Sequence, residues 1–397
     1  MTAVSIPSGV GTPNPGLPPG RHGGGPSTRT VVRTWLVAGI AVVGFGVLAL
    51  VVAAYLGATF GVQTVLLAVV AALIPLGIVV PTFMWLDRFE AEPTRYLIGA
   101  FLWGALVAAV LAAVTNTSIM AVLKEVTQGE NADVLPTTAV LVAPVVEESL
   151  KGVFVLIVWW FMRREFDGVV DGIVYAGITA AGFAFTENIQ YLATAYTDGG
   201  RELLTATFVG RCLMSPFAHP MFTVATGIGV GVASASSRWF VRLVAPFLGW
   251  VVAVMAHGLW NLAAVSGGQG LFAVYLSVEV PVFLAFVAMV IWTRNYEGRL
   301  IGRFLTPYVT AGWLSGAEVA MLSSMPRRRE ALRWARANGG RAGLAAMRRY
   351  QDAASEVAML RRRMTHTRVD EQALADERML LSELSNGRRA FIGTAGG

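Results

Sequence analysis

Long runs of apolar residues, separated by short polar segments, occupy the first three quarters of the chain. A helix needs about 20 predominantly apolar residues to cross a bilayer. The pattern predicts eight such helices, approximately at residues 35–58, 63–86, 96–123, 137–162, 172–196, 205–233, 241–265 and 271–292. We therefore predict an all-α fold, a polytopic membrane helical bundle with about eight transmembrane helices.

The pattern differs at both ends of the chain. The first residues are rich in Pro, Gly, Ser and Thr, which indicates disorder. Near the C-terminus, Arg and Glu alternate among apolar residues at three- and four-residue spacing, which is typical of amphipathic helices. We predict a disordered cytoplasmic N-terminal tail (1–32), a transmembrane domain (33–295) and an Arg-rich, helical cytoplasmic tail (296–397), interrupted at Gly339 and Gly340.

Composition supports a membrane protein. Hydrophobic residues make up 55% of the chain, charged residues only 14%, and the mean hydropathy is +0.60. A soluble protein could not cover so much apolar side chain with so few charges. The single cysteine, Cys212, excludes a disulfide framework and a Cys-based zinc site. Three glycines within one predicted span, Gly227, Gly229 and Gly231, favour close helix contact.

Basic residues predict the orientation in the membrane, because they collect on the cytoplasmic side. They lie in the N-terminal tail, in the Arg-rich C-terminal tail and in alternate loops: Arg88 and Arg95, Arg163 and Arg164, Arg238 and Arg242. This places both termini in the cytoplasm and the protein in the cell inner (plasma) membrane. The net charge of +6 comes largely from the C-terminal tail, which we expect to meet anionic lipid rather than nucleic acid.

Charged residues inside the predicted spans are the candidate chemistry. Carboxylates at membrane depth are energetically costly and rarely lack a partner or a task. Glu147 and Lys151 share a helix face, and Glu148 is turned from Glu147 by about 100°. The next three spans add Glu187 and Asn188, then Arg211 and His219, then His257 and Asn261. At about 1.5 Å per residue, Glu147, Glu187, His219 and His257 all lie near the membrane midplane or somewhat toward the outer leaflet.

Such a set can perform hydrolysis. A buried carboxylate can act as general base, and His or Asn side chains can donate to an oxyanion. Two histidines and a glutamate also suit zinc, although no HExxH motif is present. Two other classes of function fit the same residues: a proton- or ion-coupled transporter, and a non-catalytic scaffold acting through its tail.

Four separated motifs resemble the PrsW family of intramembrane proteases, relatives of the CAAX prenyl proteases and the wider CPBP-Abi superfamily. The resemblance covers about residues 86–265. Its motifs are EExxK from Glu147 to Lys151, FxxxEN from Phe183 to Asn188, the segment Pro216-Phe-Ala-His-Pro-Met-Phe-Thr223, and His257-Gly-Leu-Trp-Asn261.

The resemblance implies an intramembrane peptidase that cuts membrane-anchored proteins, such as an anti-sigma factor in a stress response. It implies that Glu147 and Glu148 are the catalytic pair, and that His257 and Asn261 form the oxyanion side. Zinc, if bound, would be held by Glu187, His219 and His257. CAAX proteases have His at the position of Glu187. The expected supporting residues are Lys151, Phe183, Asn188 and Arg211.

Overall fold

The computed structural model describes residues 28–89, 91–127, 134–162, 166, 168–267, 272–366 and 371–392, and all regular structure in these ranges is helical. The helices are α1 (Thr28–Phe60), α2 (Val62–Leu86), α3 (Thr94–Leu102), α4 (Ala109–Val126), α5 (Val134–Thr137), α6 (Ala143–Phe161), α7 (Val169–Phe208), α8 (Ala218–Ser234), α9 (Trp239–Ser266), α10 (Val280–Thr310), α11 (Gly316–Leu322), α12 (Met325–His366) and α13 (Glu371–Ile392). Short π-helical segments lie at Trp103–Ala108, Thr138–Val142, Val209–Met214 and Tyr275–Glu279. Residues 1–27 of the predicted N-terminal tail, and Arg163 and Arg164, lie outside the described residues.

Six helical stretches of the described chain are long and apolar enough to cross a membrane: Ala38–Phe60, Val62–Leu86, Thr94–Val126, Val169–Ser234, Trp239–Ser266 and Phe272–Thr310. Large apolar side chains such as Leu50, Leu66 and Leu243 are exposed on α1, α2 and α9, as expected for lipid-facing helices. The protein is therefore membrane-integral. The count of eight spans remains a prediction.

Two features account for the difference between six and eight. The predicted span at 137–162 contains Glu147, Glu148 and Lys151, and these three charges interrupt its apolar sequence. The predicted fifth and sixth spans lie together in the single stretch Val169–Ser234. Within that stretch α7 is broken at Gly200, whose φ of 59° lies in the left-handed region that glycine tolerates best.

Helix α7 lies at the centre of the bundle, and residues 171–183 are all buried. Glycines bring its backbone against α8: a Cβ added at Gly227 would lie 2.1 Å from the carbonyl oxygen of Gly172. A Cβ at Gly229 would similarly lie 2.3 Å from the carbonyl oxygen of Ala245 on α9. The close helix contact predicted for Gly227, Gly229 and Gly231 is thus confirmed, and it brings α7, α8 and α9 together around the candidate site.

Helix α4 is held against α7 from the other side. The π-helical segment that precedes α4 contains Gly104, and a Cβ there would lie 1.8 Å from the carbonyl oxygen of Thr179. Thr186 also donates a hydrogen bond to the carbonyl oxygen of Ala105 (2.6 Å). These contacts place the polar residues of α4 beside those of α6.

The C-terminal helices share a second hydrophobic core. Helix α10 runs without a break through the predicted domain boundary at residue 295 and leads into α11, α12 and α13. The break predicted at Gly339 and Gly340 is confirmed, since Gly340 has a non-helical backbone with φ 57°. The core of these helices includes Ile301, Leu305, Tyr308, Leu322, Val357 and Leu380.

Phe89, from the loop between α2 and α3, is buried in this second core. Arg328 of α12, itself buried, donates to the carbonyl oxygen of Phe89 (3.3 Å) and to the hydroxyl of Ser355 (2.9 Å). A Cβ at Gly298 would lie 3.1 Å from the Phe89 ring, so α10 also closes on this side chain. Phe89 therefore anchors the C-terminal helices to the membrane bundle.

Phe89→Ala is expected to loosen that attachment. Removing a buried phenylalanine side chain typically destabilises a core by about 3–5 kcal/mol. We expect faster hydrogen exchange and faster proteolysis in α11–α13, with the bundle helices unchanged. Met379→Ala is the control, because Met379 lies on the same tail and is 54% exposed. Equal protection of the tail in Phe89→Ala and the unmodified protein would contradict the anchoring role.

Candidate active site

Glu148 is completely enclosed and joins three helices. Its Oε1 accepts a hydrogen bond from Lys151 Nζ (2.7 Å) and lies 3.0 Å from His257 Nδ1. Its Oε2 accepts from the hydroxyl of Thr223 on α8 (2.7 Å). An ionised carboxylate can only accept, so the short contact with His257 indicates that Nδ1 carries a proton and donates it to the hydrogen bond with Glu148. Both Glu148 oxygens are thus satisfied.

Glu147 has a different environment, because the next residue along a helix is turned by about 100°. Its Oε1 accepts from Asn116 Nδ2 on α4 (3.3 Å). Its Oε2 lies 3.8 Å from both Lys151 Nζ and His257 Nε2, and makes no hydrogen bond among the described residues. Of the two carboxylates, Glu147 is the one that keeps a buried oxygen available for another group.

Glu187 and His219 form a second polar wall. Glu187 Oε2 accepts from His219 Nε2 and from Arg211 Nη2, each at 2.6 Å. Arg211 Nε also donates to Asn188 Oδ1 (3.0 Å). The guanidinium is therefore bound by Glu187 and Asn188, which are adjacent on α7. His219 Nδ1 lies 3.2 Å from Lys151 Nζ, which connects this wall to the glutamate pair on α6.

Lys151 is the central cation of the cluster. Its ammonium group is fully buried, and it lies near Glu147, Glu148 and His219. The Phe183 ring lies 4.1 Å from Lys151 Nζ and packs against the His219 ring at 5.6 Å between centroids. Phe183 therefore supplies an apolar wall and a cation–π contact to a charge that has no access to water.

The structure does not bring the Asn261 side chain into this cluster. Its Nδ2 donates instead to the carbonyl oxygen of Ala139 (2.8 Å) in the π-helical segment before α6. A π-helical carbonyl accepts from the residue five positions on, which here is Pro144, and proline has no N–H. Asn261 supplies the missing donor and fixes α9, with His257, against the start of α6.

The site residues fit a metal ion. One ligand atom each from Glu147, His219 and His257 lies within 4.8 Å of the other two, and all three residues are buried. Each imidazole has its other nitrogen beside a carboxylate, Glu148 for His257 and Glu187 for His219, an arrangement common around metal-ligating histidines. The unbonded Glu147 Oε2 completes a donor set suited to zinc. The structure thus groups Glu147 with both histidines, while Glu187, the ligand predicted from the sequence, contacts His219.

Asn116 is a member of the site that the sequence does not predict, and Thr223, which ends one of the family motifs, is given no role there. Asn116 interrupts a predicted span, and Thr223 follows His219 by one helical turn on the same face. Polarity at membrane depth was therefore a signal for both. Neither could be matched with a particular glutamate before the helices were positioned.

Comparison with known proteins gives a consistent result. Residues 92–291 match the family model described as "PrsW family intramembrane metalloprotease". The chain is 27% identical over 175 residues to "Protease PrsW" of Clostridioides difficile, covering 44% of this chain and 69% of that protein. It is 32% identical over 159 residues to the protein of the same name from Geobacillus kaustophilus, covering 40% and 63% respectively. For that of Bacillus subtilis the values are 28% over 200 residues, 49% and 81%. No solved structure matches the chain significantly.

Proposed function

Because this chain belongs to the PrsW family of intramembrane metalloproteases, we propose that it is an intramembrane endopeptidase. It hydrolyses peptide bonds of membrane-anchored proteins where α4, α6, α7, α8 and α9 meet. The observation that carries this proposal is the buried Oε2 of Glu147, which faces His257 Nε2 and makes no hydrogen bond among the described residues. A buried base facing an imidazole suits the activation of water.

Glu147 is the general base in this proposal. Oε2 takes a proton from water, the hydroxide oxygen bonds to the scissile carbonyl carbon, and the proton then passes to the leaving amine nitrogen as the C–N bond breaks. Glu148 does not perform this step, because both of its oxygens are occupied; it holds His257 and Lys151 in place. His257, through Nε2, and the Lys151 ammonium lie near enough to Glu147 to stabilise the developing oxyanion.

A zinc ion would be held by His219 and His257, with Glu147 beside the ion as the base. When bound, it would supply Lewis-acid polarisation of the carbonyl and a more acidic water. The chain's own contribution is to orient both imidazoles through Glu148 and Glu187. The Lys151 ammonium lies 3.2 Å from His219 Nδ1. A metal ion would therefore compete with Lys151 for this nitrogen.

Metal removal is expected to stop cleavage. We expect 1,10-phenanthroline to abolish hydrolysis of a membrane-anchored substrate by the purified protein in liposomes, and added Zn²⁺ to restore it. The non-chelating 1,7-phenanthroline is the control, and elemental analysis follows the bound metal. Full activity in protein shown to be free of metal would instead identify a glutamate-dependent protease.

Several finer assignments are part of the proposal. We propose the plasma membrane as location, with both termini in the cytoplasm, and a membrane-anchored substrate such as an anti-sigma factor.

Exposed Arg329 and Arg333, with Trp334, on α12 suit contact with anionic lipid. The relation to CAAX prenyl proteases is supported by the motif order, while Glu187 departs from their histidine. Family membership favours hydrolysis over coupled transport or a scaffold role.

A further inference from the structure

Asn116 is a polar residue of α4 that reaches the candidate active site from outside the four recognised motifs. Its Nδ2 donates to Glu147 Oε1 at 3.3 Å. Its neighbours Thr117 and Ser118 are exposed, whereas Asn116 is partly buried. The amide is therefore turned toward α6 and away from the bundle surface.

The hydrogen bond fixes how both side chains are turned. With Oε1 held by Asn116, the other Glu147 oxygen is directed toward His257 and Lys151. With the Asn116 nitrogen turned to Glu147, its Oδ1 is a second buried acceptor that has no hydrogen-bond partner among the described residues. Glu147 Oε2 and Asn116 Oδ1 are thus two buried acceptors without hydrogen bonds among the described residues, and their side chains are bonded to each other.

Buried acceptors without partners are uncommon, and each calls for an explanation such as a ligand that donates to it. A water molecule has two O–H groups, which suits a pair of acceptors. We propose that Asn116 positions both Glu147 and the attacking water for the hydrolysis, an inference that rests on the proposed function above. Asn116 holds Glu147 with Oε2 toward His257. Its own Oδ1 accepts one hydrogen of the attacking water while Glu147 Oε2 takes the other as a proton.

Two variants distinguish positioning from packing. Asn116→Leu keeps the approximate volume and removes both polar groups. Asn116→Asp keeps the shape and the acceptor but replaces the donor to Glu147 with a second carboxylate. If Asn116 only filled space, Asn116→Leu would retain activity. Thr117→Val and Ser118→Ala, at exposed positions of the same helix, are the matched controls.

The test measures kcat and KM for cleavage of a membrane-anchored peptide by the full-length protein in liposomes, with a melting temperature for every variant. A misplacement of about 1 Å in an active site can lower the rate about 100-fold. We expect kcat to fall about 10- to 100-fold in both Asn116 variants, KM to stay within about twofold, and both control variants to match the unmodified protein. Adding Asn116→Leu to Glu147→Gln should cause little further loss, because the water that Asn116 holds has no base to activate it once Glu147 is replaced.

Other results separate this inference from the proposed function. A kcat within about twofold of the unmodified protein in a folded Asn116→Leu or Asn116→Asp variant would overturn the positioning role. A raised KM with unchanged kcat would also overturn it, since Asn116 would then bind substrate. If Glu147→Gln remained active, the proposed function itself would fail. If Glu147→Gln were inactive and the Asn116 variants active, only this inference would fail.

Discussion

Glu147→Gln is expected to abolish cleavage while leaving the fold intact. The substitution keeps the size of the side chain and keeps an oxygen that can accept from Asn116 Nδ2. It converts the carboxylate into an amide, and an amide cannot take a proton from water. Loss of general-base catalysis typically lowers a rate about 10²–10⁴-fold. Because Oε2 makes no hydrogen bond among the described residues, little folding energy is lost with it.

The measurement compares cleavage rates of a membrane-anchored reporter by purified variants. Glu202→Gln is the matched control, since Glu202 is exposed and lies outside the cluster. We expect this control to retain full activity, and both variants to melt within a few degrees of the unmodified protein. Cleavage at more than about one tenth of the normal rate by Glu147→Gln would rule out this residue as the general base.

Lys151→Met is expected to give a large loss of stability. The substitution keeps an unbranched side chain of similar length and removes the cation that neutralises the glutamate pair. Glu148 would then remain buried with its charge unbalanced. Removing one partner of a buried ion pair typically costs about 3–5 kcal/mol. We expect the free energy of unfolding to fall by that amount, together with loss of activity.

Denaturant unfolding in micelles measures this effect. Lys124→Met, on the exposed end of α4, is the control and should change the unfolding free energy by less than about 0.5 kcal/mol. The double variant Lys151→Met/Glu148→Gln should recover part of the loss, because it removes the unbalanced charge as well. An unfolding free energy unchanged by Lys151→Met would show that the carboxylates do not depend on this cation.

The sequence alone is informative where the free-energy cost of placing a residue in the membrane does not depend on which side chains surround it. A charge at membrane depth is costly in any helical bundle, so Glu147, Glu148, His219 and His257 are recognisable as candidate site residues from the chain alone. The small residues Gly227 and Gly229 likewise predicted the close contacts that the structure contains. The number of spans does not follow from apolar runs alone, because the charged α6 and the continuous stretch through α7 and α8 both depart from a simple apolar pattern.

The division of roles within the site followed only from the tertiary structure. Sequence placed Glu147 and Glu148 about 100° apart on one helix. It could not show that Glu148 would be enclosed by three partners, or that Glu147 would keep a free oxygen. Nor could it show that Asn116 donates a hydrogen bond to Glu147, or that Asn261 donates one to the carbonyl oxygen of Ala139.

The sequence by itself thus determined the helical membrane class, the family motifs and the candidate set of polar residues. The tertiary structure decided that Glu147 keeps an oxygen without a hydrogen bond while both Glu148 oxygens are bonded, which nitrogen of His257 contacts Glu148, and that Phe89 ties the C-terminal helices to the bundle. The reason is physical. Periodicity and burial cost act along one helix, whereas hydrogen-bond partners depend on how neighbouring helices are rotated and shifted, to within a fraction of an ångström.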